Sequence, residues 1–104
     1  MMDYTKIIAV DFDGTLVENK FPRVGDPIWD NIEAIKKEKK AGAAVILWTC
    51  RVGRRLADAV RTCELYGIEL DAINENLPGI IQGFGGDPRK IFAHEYWDDR
   101  AVRM

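Results

Sequence analysis

The stretch Ile7-Ile8-Ala9-Val10-Asp11-Phe12-Asp13-Gly14-Thr15 runs four apolar residues straight into two carboxylates. Lys6 to Val10 reads as a β-strand, because a short apolar run rich in branched side chains fits a pleated, covered surface. Asp11 and Asp13 then stand one residue apart. Two carboxylates so close repel one another, and a divalent cation with oxygen ligands is the usual remedy. Asp11 could offer one oxygen to Mg²⁺ and the other to an electrophile. Asp13 could pass a proton to a leaving oxygen and take one back from water. Gly14 allows the chain to turn and lets backbone come close to a phosphate. A calcium loop of the EF-hand type is excluded, since its sixth and twelfth positions hold Leu16 and Pro22 in place of Gly and Glu.

Beyond Thr15, Leu16 to Phe21 is expected to form a short hairpin or flap. Asp26-Pro27 predicts a helix start, Asp26 as N-cap and Pro27 at the first helical position. Ile28, Ile32 and Ile35 recur at helical spacing and Gly42 supplies the stop. Lys36, Lys37, Lys39 and Lys40 suit the negative end of that helix dipole and read as a solvated face. Ala43 to Trp48 is apolar without alternation, as in a strand covered on both sides. A second amphipathic helix carries Leu56, Ala59, Val60 and Cys63, with Gly67 at its end, and a weaker strand follows at Leu70 to Ile73. Residues 75–89 hold four glycines and two prolines, which predicts an irregular connection with at most one short helix. A last strand runs from Lys90 or Ile91 to Trp97 and ends on Asp98-Asp99. Trp48 and Trp97 read as core residues, and His94, inside that strand, as a packed or surface residue.

Alternating strands and helices predict an α/β fold with a parallel sheet. In such sheets ligands bind beyond the carboxyl ends of the strands. Asp11, Thr49 and the Asp98-Asp99 pair follow three different strands, so the topology brings them to one edge. Thr49 could donate its hydroxyl to a phosphate oxygen, Lys90 could neutralise charge there, and Arg51 could pair with a substrate anion or equally form a surface salt bridge.

The 104 residues suffice for one domain, taken as residues 1–104. With 47% apolar and 31% charged residues the balance is globular. A formal charge of −2 gives no electrostatic case for a nucleic-acid or membrane partner. No apolar run reaches a membrane-spanning length, and the one that opens the chain is cut off by Asp11. Cys50 and Cys63 match no metal or redox spacing, so a soluble, reduced, cytoplasmic protein is expected.

Asp11-Phe12-Asp13-Gly14-Thr15-Leu16 resembles the first motif of the haloacid dehalogenase superfamily. Ile46-Leu47-Trp48-Thr49 looks like its second motif, Lys90 like its third, and Asp98-Asp99 like the double-acid form of its fourth, in the same order. The resemblance covers residues 6 to 100. It implies a three-layer, Rossmann-like sheet of four strands in the order 3-2-1-4, and a Mg²⁺-dependent phosphohydrolase working through an aspartyl-phosphate. Carried over, Asp11 is the nucleophile and Asp13 the general acid and base. Thr49 and Lys90 bind and screen the phosphoryl group. The metal would be held by Asp11, the Asp13 carbonyl, and one or both of Asp98 and Asp99; Phe12, Gly14, Cys50 and Arg51 are the further candidates for substrate contact.

Many members carry a cap domain, for which this chain has no room. An open site implies a bulky phosphorylated substrate or a neighbouring subunit as lid. With both clear helices on one face, the other would be covered only by residues 75–89, which predicts a homodimer burying it. Two rival readings keep the fold: a phosphate- or Mg²⁺-binding module of vestigial activity, and a phosphotransferase using the same aspartyl-phosphate. A receiver-type signalling domain is set aside, because there the acid pair follows the first strand and the phosphoacceptor sits mid-chain.

Overall fold

The apolar run that opens the chain becomes an interior strand. The computed structural model describes residues 4–86 and 90–98. Its elements are β1 (Ile7–Val10), α1 (Trp29–Lys40), β2 (Ala44–Leu47), α2 (Gly53–Leu65), β3 (Ala72–Ile73), α3 (Pro78–Phe84) and β4 (Glu95–Trp97). The sheet order is β3-β2-β1-β4 and every neighbouring pair is parallel, as expected. No helix among the described residues is long and apolar enough to cross a membrane.

Side-chain alternation along β1 and β2 divides the core into two layers. Ile8, Val10, Val45 and Leu47 meet Ile32 and Ile35 of α1 and Ala59 and Cys63 of α2. Ile7, Ala9, Ala44 and Ile46 face the other way, onto Leu77, Ile80, Ile91 and Ala93. Those four strand residues are 0% exposed within the single chain. The expectation of a bare face therefore fails, and with it the ground for a dimer: one short helix and the segment before β4 already cover the sheet. Both cysteines are free, and burial pushes the Cys63 thiol up to about 12, in keeping with a packed hydrophobe.

Three boundaries differ from the sequence expectation, each for a reason visible in the hydrogen bonds. Helix α1 begins at Trp29 with Ile28 as N-cap and no side-chain cap, later than Asp26-Pro27 suggested. Those two residues are drawn into the base of the flap: Val17 bridges Pro27, Glu18 N–H donates to the Asp26 carbonyl (2.8 Å), and Ile28 N–H to that of Leu16 (2.9 Å). Strand β4 is three residues long because the backbone ahead of it is captured by side chains. Asn76 Oδ1 accepts from Phe92 N–H (2.7 Å), and the Tyr96 hydroxyl accepts from Ala93 N–H (3.1 Å) and donates to the Ile91 carbonyl. Trp48 is 42% exposed, beyond the end of β2, and its ring leans on Tyr96. Trp97 is buried as expected.

Gly42 ends α1 as the sequence suggests: at φ 103° it lets Ala43 N–H reach the Glu38 carbonyl and its own N–H reach that of Lys39. Gly25 matters for a different reason. A Cβ there would stand 1.9 Å from the Glu18 carbonyl oxygen, where the two arms of the flap meet. Gly25→Ala is expected to cost about 2 kcal/mol or more, because the obstacle is backbone and cannot swing aside; urea unfolding measures it, and an unchanged midpoint would show that the arms need not approach.

At the opposite end of the sheet His94 accepts Ile7 N–H on Nδ1 (2.8 Å) and donates its own N–H to the Ile7 carbonyl. That role is structural. Beside it Lys6 joins Glu95 of β4 (2.8 Å) to Glu38 of α1 (3.1 Å). The hydrogen bond from Lys6 holds the Glu95 carboxyl below the usual carboxylate range. A lowered carboxylate stabilises the fold above its unfolded value and loses that contribution as pH falls through the folded value. The melting temperature of the parent should therefore drop more steeply than that of Glu95→Gln below roughly pH 4; parallel pH profiles would remove Glu95 from the acid response.

Candidate functional site

The register places the first and last acids together. Val10 pairs with Trp97, and Asp11 N–H donates to the Trp97 carbonyl at 2.8 Å. Asp11 and Asp98 therefore leave the same end of adjacent strands, where neighbours lie about 5 Å apart. Asp99 lies outside the described residues. Thr49 leaves the same edge from β2, since Trp48 N–H donates to the Val10 carbonyl (2.9 Å). A pocket of about 380 Å³ at this edge is lined by Asp11, Asp13, Asn19, Phe21, Thr49, Cys50 and Arg51.

Within it, Asp11 Oδ1 accepts from Phe12 N–H (2.8 Å). Thr49 Oγ1 accepts from Arg51 N–H (3.2 Å), which leaves the hydroxyl proton to be donated elsewhere. The Thr49 backbone N–H is fixed by Asn74 Oδ1 (2.8 Å), and Asn74 itself sits at φ 54°, a left-handed conformation that asparagine tolerates better than most.

Of the two partners expected for Arg51, a substrate anion or a surface salt bridge, the structure gives an ion pair, buried and made with Asp13. Its Nε donates to Asp13 Oδ2 (2.8 Å) and Nη2 to Oδ1 (2.7 Å), a bidentate pair. Nη2 also reaches the Arg23 carbonyl (2.9 Å), and Nη1 those of Pro22 (3.2 Å) and Arg55 (3.3 Å). All five N–H groups of the guanidinium are engaged by the protein. The residue is 2% exposed, and its guanidinium lies 5.1 Å from the Phe12 ring and 5.1 Å from the Phe21 ring. Hydrogen bonding to Asp13 raises the Arg51 pKa further above its ordinary value, so the group stays charged. It has no N–H left for a substrate anion.

Two further expectations change. Phe12 is 0% exposed, so its ring serves the core and the Arg51 clamp; no side-chain contact with substrate follows from it. Gly14 at φ 87° turns the chain, but its N–H is donated to the Val17 carbonyl (2.7 Å) and is not presented to a ligand. Cys50 is exposed and lines the pocket. Lys90 is exposed and lines a separate pocket with Phe84, Phe92, Ala93 and Tyr96. Asn76 Nδ2 donates to its carbonyl (3.3 Å), tying its backbone to the region just past β3. Asn19 and Phe21 were read only as flap; their place in the pocket follows from the flap folding back over Arg51, which no local pattern announces.

As a metal site, the edge offers carboxylate and carbonyl oxygens. Among the described residues no three His, Cys, Asp or Glu side chains gather as a metal cage would. Mg²⁺ is commonly held by one or two carboxylates with waters and substrate phosphates. Asp11 and Asp98 on adjacent strand ends match that requirement in kind and number.

A solved structure of a conserved protein from Bacteroides thetaiotaomicron matches this fold with a TM-score of 0.80 at 40% sequence identity, over 93% of this chain and 78% of that one. The chain belongs to that protein's family. No protein-family model and no curated protein matches it.

Proposed function

We propose that the protein is a phosphohydrolase of the haloacid dehalogenase type, acting on phosphomonoesters with Mg²⁺. The observation that carries the reading is the β1–β4 register, which sets Asp11 beside Asp98 with Thr49 on the next strand end. An Asp11 oxygen attacks phosphorus, the bond from phosphorus to the leaving oxygen breaks, and Asp13 gives that oxygen a proton. Water then gives a proton to Asp13 and attacks phosphorus, releasing phosphate and restoring Asp11. Thr49 holds a phosphoryl oxygen. Asp11, the Asp13 carbonyl and one or both of Asp98 and Asp99 would hold Mg²⁺, which would supply charge neutralisation at the phosphoryl group. Arg51 takes one hydrogen bond on each Asp13 oxygen, so proton transfer at Asp13 competes with that ion pair.

That same clamp favours a second reading, a phosphate- and Mg²⁺-binding module without turnover. Hydrolysis of p-nitrophenyl phosphate, with Mg²⁺ and with EDTA, decides between them. Release of phosphate that EDTA stops supports the enzyme. Saturable phosphate binding with no turnover of any phosphomonoester supports the module.

A further inference from the structure

We infer that the aromatic pocket on the α3 side of β4 receives the base of a nucleoside monophosphate, an inference that rests on the phosphohydrolase reading. The pocket has a volume of about 370 Å³ and is walled by Phe84, Phe92, Ala93 and Tyr96 with Lys90 as its cation. That volume lies within the range of small-molecule sites, from roughly 300 Å³ upward. Phe84 is 65% exposed and Trp48 42%, an unusual outlay of large rings on a small surface. They fall in two ring pairs on this side of the sheet: Trp48 lies 5.3 Å from Tyr96, and Phe84 6.5 Å from Phe92, whose ring also meets that of His94 at 5.3 Å.

Strand alternation ties the first pair to the nucleophile. Tyr96 pairs with Ala9, whose side chain faces the α3 layer, and Asp11 is two residues further along the same strand. Trp48 stands in the same relation to Ile46. Two residues of strand and one strand spacing separate Asp11 from Tyr96, on the order of 8 Å. An aryl ester bonds its ring directly to the ester oxygen and would hold the ring too close to phosphorus to fill the pocket. A ribose between phosphorus and ring supplies the offset. Lys90 can meet the polar edge of a base or stack its stem on it. The formal charge of −2 gives no long-range attraction for a polyanion, so the free mononucleotide is favoured over the end of a nucleic-acid strand.

The test compares adenosine 5′-monophosphate with ribose 5-phosphate, which differ by the base alone. The expected kcat/KM favours the nucleotide by about tenfold or more, the scale of one base stacked on aromatic rings. Phe84→Ala should bring that ratio toward one; its exposure makes it a safe replacement, whereas Tyr96 holds backbone through its hydroxyl. Equal rates on the two substrates would overturn the pocket and leave the phosphohydrolase standing. A 5′-phosphorylated oligonucleotide that outperforms the mononucleotide would overturn the choice of ligand. Should nothing be hydrolysed, quenching of tryptophan fluorescence by the nucleotide with Mg²⁺ is read against Trp48→Phe. Saturable quenching then supports the pocket and removes the enzyme reading, and no quenching overturns both.

Discussion

Asp11→Asn should lose phosphomonoester turnover by at least about a thousandfold while melting no lower than the parent. The amide cannot attack phosphorus, yet its carbonyl oxygen can still accept Phe12 N–H, which now binds Oδ1 at 2.8 Å. The substitution also removes one negative charge from an edge that carries Asp11, Asp13 and Asp98. Relief of like-charge repulsion opposes any loss of packing, and sites built for chemistry commonly gain stability when disarmed. Initial rates and thermal melting of the two proteins, measured in one buffer with Mg²⁺, check both halves. Turnover within tenfold of the parent would remove Asp11 as nucleophile. A collapse of the melting temperature would make Asp11 a structural residue whose activity loss means little.

Arg51→Ala is expected to be the most destabilising change near the pocket, about 3 kcal/mol, or on the order of 15 °C in melting temperature. The side chain is 1% exposed and its partner Asp13 16%, so removal strands a carboxylate with little water to replace the guanidinium. It also frees the Pro22, Arg23 and Arg55 carbonyls and empties the space between the Phe12 and Phe21 rings. Arg51→Lys should recover little, because one ammonium cannot form a planar fork to Asp13 and reach three carbonyls. Combining Arg51→Ala with Asp13→Asn should cost less than the sum of the two, since the stranded charge is then gone. Melting curves for the four proteins complete the cycle; strict additivity would mean the pair is not coupled.

Where the sequence was legible, short-range periodicity and a topological rule carried it. Four apolar residues before Asp11, six between Gly42 and Thr49, and a hydrophobic run before Asp98 are enough to set three strands and the edge at which they end. Arg51 was not legible, because which partner a guanidinium finds depends on how the flap folds back from 28 residues away. The start of α1 was misjudged for a related reason. Asp26-Pro27 has the local form of a helix start, but pairing with the Val17 arm uses the same backbone groups and wins. The shortening of β4 came from Asn76 and Tyr96 side chains capturing peptide groups, contacts that leave no trace in hydropathy. Trp48 reads as core because the apolar run continues through it; the ladder stops at Leu47, and the next side chain is left half-exposed against Tyr96.

The outermost ladders of the sheet are only two residues long at β3 and three at β4. An exposed sheet margin attracts foreign strands in proportion to the row of idle peptide groups it displays. Here each margin displays too few to nucleate a stack. Among the described residues, the pairing capacity of this sheet is thus spent in its two central strands, each with four consecutive covered apolar residues.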